Sequence, residues 1–328
     1  MFNKQYDTAI AGGGIAAVLH ACALAAQGRK VIILADSTSL MHEIGLSRLP
    51  LHTAAQLAAR YPIVKEWIEL LQAYDAIKDE RIEPVFAQLL ADVFVQSYGV
   101  DVLFEVIPLE IKRGDDEAGE IEGVVFASRE GFQFIACKSI VDCTEQAILL
   151  RGLLNEKQLD SSSVATLWTL TCLELKRPIS VEELTIYAAN SRYEIQLSPS
   201  YWEGELNIAI AACSDNIENG KEIGFISDLE ELIVQIREQA HCGVGSLIHV
   251  SERAWSTPSF LLEQKTDSPI TIAKGARVAS QDYSLVGIGC WTEAGHHYLN
   301  EISVSDKGGA ALSFLIKGAM EAAEVSKR

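Results

Sequence analysis

The sequence predicts an α/β protein in which a Rossmann-like domain, with a central parallel sheet and a β-meander, is joined to an α+β domain with an antiparallel sheet. Three features of the chain support this prediction. Residues 6–36 read as strand, glycine turn, helix and strand, and residues 98–145 read as consecutive strands separated by polar turns. Residues 151–274 then alternate further strands with short helices, which is typical of an α+β layer.

The bulk composition limits the class of protein. The chain has 328 residues, of which 48% are hydrophobic, so it can bury a sizeable core in one large domain or in two of ordinary size. Every apolar stretch is interrupted before it reaches the roughly 20 residues that a transmembrane helix needs. The N-terminus has neither the basic segment nor the cleavage site of a signal peptide, so we expect a cytoplasmic protein.

The charge and the cysteines exclude other classes. The formal net charge of −18 argues against a nucleic acid or an anionic membrane surface as partner, because such partners require a basic face. The seven cysteines are dispersed, and no two of them have the CxxC spacing. We therefore expect reduced thiols and no metal site of the zinc or iron–sulfur kind.

The first folding unit covers residues 6–34. Residues 6–11 are apolar enough for a short buried strand, residues 15–27 are mostly small and aliphatic and suit a helix packed on a sheet, and residues 31–34 form a second buried strand. Gly28 stands where the helix should end. Because the crossover is short and helical, the two strands are predicted to be parallel.

A glycine-rich turn joins the first strand to the helix and reads Gly12-Gly13-Gly14-Ile15-Ala16-Ala17. This is the GxGxxA form of the dinucleotide fingerprint, and it lies in the required strand–turn–helix context. The first glycine permits the tight turn, the third lets the backbone approach a pyrophosphate, and the last alanine lets the helix lie close to the strand. The pyrophosphate would bind free amides at the positive end of the helix. The alternative is a tight α/β turn that holds no ligand.

The sequence leaves two alternatives for the contact to the first ribose. The fingerprint expects an acidic residue at the end of the second strand. Ala35 occupies that place, and Asp36 follows it directly. Either Asp36 binds the ribose hydroxyls, or it caps the next turn.

The rest of the chain indicates which dinucleotide is bound. A simple NAD domain continues to alternate strands with helices, whereas here a β-meander replaces the later helices. After a helix with Pro84 near its start come "GVDVLFE", the meander and "IVDCTEQA". This order resembles the FAD-dependent oxidoreductases of the two-dinucleotide-binding-domain group, whose FAD domain is like that of glutathione reductase. It is most similar to the branch whose corresponding segment reads close to "DATGDADLA".

The C-terminal segment is also similar to this family. "LVGIGCWTEA" resembles the family's "LLVAGRCISATHEA", and "GGAALSFLIKGAMEAA" resembles its closing helix. The resemblance implies a discontinuous FAD-binding domain of residues 1–150 and 275–328, with residues 151–274 inserted as a substrate or cap domain.

The resemblance also implies FAD as the cofactor and a set of contact positions for it. The glycine turn would hold the pyrophosphate, the backbone near Ile107 would meet the adenine, and Cys143 and Thr144 would lie along the cofactor. A second group of positions would approach the ribityl chain and the ring: Gly289, Cys290, Gly308, Gly309 and Ala310. From the residues alone, the glycines at 308 and 309 are equally compatible with an ordinary helix start.

Three residues are candidates for catalysis. His296 and His297 precede the closing helix, and a histidine has a suitable pKa for taking a proton. Adjacent histidines usually point in different directions, so we expect at most one in the site. Arg48 follows the second strand and could reach cofactor phosphates or an anionic substrate. For each of the three, a surface or structural role is the alternative, and Glu43 is a weaker candidate from the same segment.

Three functions therefore stay open. The first is an FAD-dependent oxidoreductase that oxidises a small organic substrate by hydride transfer to the flavin. The second is a degenerate relative that acts as a subunit or sensor, because Ala35 and Glu145 depart from the family pattern. The third is an NAD(P)-dependent reductase with the same fingerprint. Whether the chain forms a homo-oligomer or passes electrons to a partner protein stays open too.

Overall fold

The computed structural model describes residues 4–48, 58–78, 81–114, 121–144, 148–149, 166–177, 194–213, 230–231, 233–238, 243–253, 255–256, 270–271 and 277–278. The helices are α1 (Ile15–Ala25), α2 (His42–Gly45), α3 (Pro62–Ala73) and α4 (Pro84–Ser97). The first eight strands are β1 (Tyr6–Ala11), β2 (Val31–Leu34), β3 (Ile77–Lys78), β4 (Arg81–Ile82), β5 (Asp101–Leu103), β6 (Ile107–Arg113), β7 (Ile121–Ser128) and β8 (Gly131–Asp142). The others are β9 (Thr166–Leu175), β10 (Glu194–Pro199), β11 (Glu205–Cys213), β12 (Val244–Val250), β13 (Trp255–Ser256), β14 (Ile270–Thr271) and β15 (Arg277–Val278).

A six-stranded sheet forms the centre of the N-terminal part, in the order β5-β2-β1-β8-β7-β6. β1 is parallel to β2 and to β8, and β2 is parallel to β5. β8, β7 and β6 form an antiparallel meander that continues the same sheet. At the carboxyl edge of the parallel strands, Ala11 is level with Leu34 on one side and with Asp142 on the other. The turn after β1 therefore opens between the ends of β2 and β8.

Both faces of the parallel strands are buried, which explains their nearly continuous apolar sequence. On β1, Ile10 packs into a core formed with α1, α3 and α4, whereas Ala9 and Ala11 pack into a second core with the meander. β2 repeats this alternation, with Ile33 in the first core and Ile32 in the second. The sheet is thereby fixed from both sides, and with it the position of the first turn.

α1, α3 and α4 end in the same way, with a left-handed residue that lets two amides reach back to the last turn. The left-handed residues are Gly28 (φ 82°), Asp75 (φ 54°) and Gly99 (φ 66°). After each of them, the next amide donates to the carbonyl five residues earlier, as from Ala76 to Leu71 at 2.8 Å. The carbonyls at the helix ends are thus satisfied without side chains.

A separate antiparallel sheet has the order β10-β11-β9-β12, and β13 also pairs with β9. Contacts between described residues join it, or the residues next to it, to the N-terminal part, and in one of them the hydroxyl of Tyr201 donates to the carbonyl of Asp75. The amide of Glu252 donates to the carbonyl of Leu46 at 3.0 Å, Arg253 pairs with Asp36 at 3.4 Å, and Arg81 donates to the carbonyl of Ser200 at 3.0 Å.

The fold class predicted from the sequence is confirmed: a parallel sheet with a β-meander and a separate antiparallel sheet. The division into a discontinuous domain and an insertion stays a prediction, because most of residues 275–328 lie outside the described part. Among the described helices, none combines the length and the apolar character that crossing a membrane requires.

Candidate functional site

The turn after β1 can be made only with glycine at its first position. Gly12 has a φ of 106°, and its amide donates to the carbonyl of Leu34 at 2.8 Å. A Cβ at this position would lie 2.6 Å from the carbonyl oxygen of Cys143, at the end of β8. Both the backbone angle and the close approach of β8 therefore require the missing side chain.

The next part of the turn places the start of α1 at the edge of the sheet. Gly14 is the N-cap residue and offers no side chain to the free amides of the first turn. Ala16 and Ala17 are buried, so the helix lies close to the strands. The start of α1 thus presents backbone amides and the positive end of the helix dipole, which together favour an anion.

A carboxylate of this chain already occupies that position. Oε2 of Glu43 accepts a hydrogen bond from the amide of Ile15 at 2.9 Å, in a buried environment. The side chain of Glu43 is 0% exposed, and a Cβ at Gly14 would come within 2.9 Å of its carboxyl carbon. Within the described residues, Oε1 of Glu43 has no hydrogen-bond partner.

The backbone between β2 and α2 brings Glu43 to the turn. The amide of Met41 donates to the carbonyl of Gly13 at 2.7 Å, and Met41 adopts a left-handed φ of 50°. α2 then begins at His42, whose Nε2 lies 4.0 Å from Oε2 of Glu43. The segment between β2 and α2 therefore folds over the glycine turn.

The end of β2 differs from the fingerprint, as the sequence indicated. Ala35 is fully buried, and its backbone is held by the carbonyl of Leu103 and the amide of Val106, at 2.8 and 3.0 Å. The carboxylate of Asp36 pairs with Arg253, which comes from the segment after β12. That Asp36 binds a ribose stays a prediction, and this ion pair is the contact that a ribose would have to share or replace.

The end of β8 is fixed by a buried hydrogen-bond network that the sequence did not indicate. Oδ1 of Asp142 accepts from the amide and the hydroxyl of Thr144, at 3.0 and 2.6 Å, and Oδ2 accepts from the amide of Leu149. Between them, Cys143 is buried, and this burial raises the pKa of its thiol well above the ordinary value. Cys143 packs beside Gly12 with a protonated thiol, and the prediction that Cys143 and Thr144 lie along the cofactor stays a prediction.

The other predicted site residues fall into two groups. Ile107 begins β6 with a side chain that is 51% exposed, and Arg48 ends the segment after α2 with a left-handed φ of 53°. The remaining predictions lie outside the described residues: Glu145, Gly289, Cys290, His296, His297, Gly308, Gly309 and Ala310. Their roles stay predictions. Within the described part, no group of three or more potential metal ligands occurs.

The parallel β1–turn–α1–β2 unit with its glycine-rich turn is the arrangement that dinucleotide-binding α/β proteins use. Residues 7–152 match the family described as FAD dependent oxidoreductase. This part of the chain is similar to that family, in agreement with the resemblance noted in the sequence, and the family implies FAD as the cofactor. A comparison with curated protein sequences finds no match.

Solved structures of similar fold include FAD proteins. Aklavinone-11 hydroxylase, in complex with FAD and aklavinone, has a TM-score of 0.59 and 13% identity over 100% of this chain and 64% of its own. A geranylgeranyl bacteriochlorophyll reductase-like protein from Thermoplasma acidophilum has a TM-score of 0.58 and 14% identity, over 99% and 78% of the two chains. For p-nitrophenol 4-monooxygenase PnpA from Pseudomonas putida DLL-E4 the values are 0.55 and 11%, over 98% and 79%. These likenesses show the fold.

The described residues fit a diphosphate in part. Gly12 and Gly14 keep side chains away from the turn, and the amide of Ile15 already binds an oxygen anion, so a phosphate oxygen could take the same place. That place is filled by the carboxylate of Glu43, so a diphosphate bound to Ile15 requires this side chain to leave. The turn suits FAD, and the segment over it must adjust.

Proposed function

We propose that this protein is an FAD-dependent oxidoreductase that oxidises a small organic substrate by hydride transfer to the flavin. The observation that carries the proposal is the glycine turn: it directs the amide of Ile15 toward a buried oxygen anion at the end of a parallel sheet. The match of residues 7–152 to the family described as FAD dependent oxidoreductase supports it. The chain spans 64% of the length of aklavinone-11 hydroxylase, so the activity of the whole protein is part of the proposal.

In this mechanism the chain binds and orients, while the cofactor supplies the redox chemistry. Bound FAD would accept two electrons from the substrate as a hydride. Gly12, Gly14 and the amide of Ile15 would hold the diphosphate, and the dipole of α1 would stabilise its charge. His296 or His297 would take the proton that the substrate loses, and Arg48 would bind an anionic group of the substrate or of the cofactor.

The solved structures of similar fold suggest a class of substrate. They include a hydroxylase in complex with aklavinone and a p-nitrophenol 4-monooxygenase, and both of these compounds are small organic molecules. We propose the same class for this chain. We also propose that residues 275–328 return to the sheet and complete the FAD site, with residues 151–274 forming the cover, and that the protein is cytoplasmic.

One observation favours a second candidate, a relative that binds FAD weakly or not at all and acts as a subunit or sensor. Oε2 of Glu43 accepts the hydrogen bond of the Ile15 amide from within the chain, so this amide is satisfied without a ligand. The two candidates differ in a measurable property, namely flavin content.

The glycine turn is expected to bind the diphosphate of FAD. The purified protein should show the visible absorption bands of bound flavin, either as isolated or after incubation with FAD. The variant Gly14→Val should lose bound FAD by at least about tenfold, since a side chain at residue 14 fills the approach to the turn. Flavin absorbance after gel filtration measures this loss.

A matched control is Ala127→Val, which makes a similar change on β7, away from the turn. This variant should keep the flavin content of the unmodified protein. An unmodified protein that binds no added FAD would contradict the oxidoreductase proposal and favour the second candidate.

A further inference from the structure

We propose that the carboxylate of Glu43 is a built-in competitor of FAD for the diphosphate cradle, by which we mean the turn formed by Gly12, Gly13, Gly14 and Ile15. The inference rests on the proposed function insofar as FAD is the ligand that competes. It assigns to Glu43 a role in setting the affinity for the cofactor.

Glu43 occupies the position at which a diphosphate would bind. The start of a helix offers few free amides, and the amide of Ile15 is bonded to Oε2 of Glu43 at 2.9 Å. A carboxylate and a phosphate present the same chemistry to that amide, a charged oxygen acceptor. Since the space beside Gly14 is filled by the carboxyl group, Glu43 and a diphosphate cannot occupy the cradle together.

The buried carboxylate of Glu43 also opposes a second anion in the cradle. The side chain of Glu43 is fully buried, and its Oε1 has no hydrogen-bond partner within the described residues. A second anion brought next to it would meet a like charge at short distance in a buried environment, which is unfavourable. Displacement of the carboxylate is therefore part of FAD binding, and not a side-chain adjustment that follows it.

Residues 41–48 form the segment that must move when Glu43 leaves the cradle. Residues 41–48 begin and end with non-glycine residues in left-handed conformation, Met41 and Arg48. Such residues carry backbone strain, and positions of this kind commonly absorb conformational change. The amide of Glu252 is bonded to the carbonyl of Leu46. A displacement of residues 41–48 would therefore also disturb this contact with the segment that follows β12.

The amide of Ile15 in the turn can therefore be hydrogen-bonded in two ways. Without ligand, Glu43 caps α1 and holds residues 41–48 over the turn. With FAD, the diphosphate replaces the carboxylate, and the binding free energy is reduced by the free energy of releasing Glu43.

The test compares three variants with the unmodified protein. Glu43→Ala empties the space, Glu43→Gln keeps the shape but removes the charge, and Glu122→Gln removes one charge on the exposed side of β7 as a matched control. Isothermal titration calorimetry measures the affinity of each protein for FAD and, separately, for ADP, which carries a diphosphate but no flavin.

We expect Glu43→Ala to bind both ligands at least about tenfold more tightly than the unmodified protein, with Glu43→Gln in between and Glu122→Gln unchanged. If Glu43→Ala does not fold, as judged by circular dichroism and thermal unfolding, the near-isosteric Glu43→Gln alone decides the question.

The outcomes separate this inference from the proposed function. Tight FAD binding that is equal in the unmodified protein and the Glu43 variants overturns the role of Glu43 and leaves the oxidoreductase proposal standing. Stronger ADP binding by the variants without any FAD binding supports the cradle and contradicts the flavin function. If no variant binds either ligand, both proposals are overturned.

Discussion

At the scale of single residues, His20 shows how a buried polar group affects this protein. It lies on α1, is 0% exposed, and neither of its ring nitrogens has a hydrogen-bond partner within the described residues. Burial, together with the nearby charge of Arg29, lowers the pKa of His20 from 6.5 to about 3. The imidazole is therefore neutral in the folded protein over the whole physiological range.

This burial predicts a pH-dependent stability. Between pH 6.5 and about 3 the unfolded chain binds a proton at His20 and the folded chain does not, so the free energy of unfolding falls as the pH falls. The variant His20→Leu removes this effect and also removes two unsatisfied nitrogens. At about pH 5, the stability advantage of the variant should exceed its value near neutral pH by about 2 kcal/mol. Urea unfolding at both pH values measures it.

Other groups do not obscure this comparison. Hydrogen bonds from Lys138 to Asp7 and from Tyr6 to Asp101 lower the pKa of each carboxyl. Protonation of these carboxyls in acid therefore also lowers the free energy of unfolding. This effect is the same in the unmodified protein and in His20→Leu, so the difference between their free energies of unfolding reports on His20 alone. An advantage of His20→Leu that does not change with pH would contradict the assigned pKa.

At the scale of elements, α1, α3 and α4 share one ending but differ in the residue that forms it. Asp75 adopts at the end of α3 the left-handed conformation that Gly28 and Gly99 adopt at the ends of α1 and α4. A side chain in this conformation costs roughly 1 kcal/mol relative to glycine. The exposed Asp75 is therefore less favourable at the end of α3 than the glycines at the equivalent positions after α1 and α4.

Exchanging these residues gives a pair of opposite predictions. Asp75→Gly should stabilise the protein by about 0.5 to 1 kcal/mol, and Gly99→Asp should destabilise it by a similar amount, because the ends of α3 and α4 have the same hydrogen bonds. Thermal unfolding compares both variants with the unmodified protein. If both substitutions destabilise, the side chain of Asp75 has a contact that outweighs its backbone strain.

The elements also show what a sequence can predict here. β1, α1 and β2 follow from local patterns, namely apolar runs, a glycine turn and small residues on a helix, so their positions were predicted to within two residues. The sequence gives no comparable pattern for α2, which is only four residues long. The contact between Glu43 and Ile15 joins positions 28 residues apart and depends on the backbone angle at Met41, so the filled cradle was not predicted.

The same distinction applies to the candidate site. Gly12 was predicted correctly as the residue of the tight turn, because the need for a left-handed angle is a local property. The Asp36–Arg253 pair joins residues 217 apart, and the Asp142 network depends on how the chain turns after β8. Contacts of this kind arise from tertiary packing, which neither periodicity nor fingerprint encodes.

At the scale of the whole molecule, one sheet separates two cores, and each core contains a cysteine that can report on it. Cys22 lies in the core with the helices, and Cys137 lies in the core with the meander. Burial raises the pKa of Cys137 to about 12 and raises that of Cys22 strongly as well. Since the thiolate is the reactive form and both side chains are buried, we expect neither residue to react until its core opens.

Thiol labelling therefore measures the opening of each core. β1 and β2 contribute alternate residues to both cores, so the parallel strands cannot separate from one core without disturbing the other. We expect Cys22 and Cys137 to react with iodoacetamide with the same free energy of opening, equal to that of global unfolding. Mass spectrometry of the labelled peptides, over a series of urea concentrations, measures both rates. Faster labelling of Cys137 would instead mean that the meander opens as a unit of its own, while the strands that carry the glycine turn stay folded.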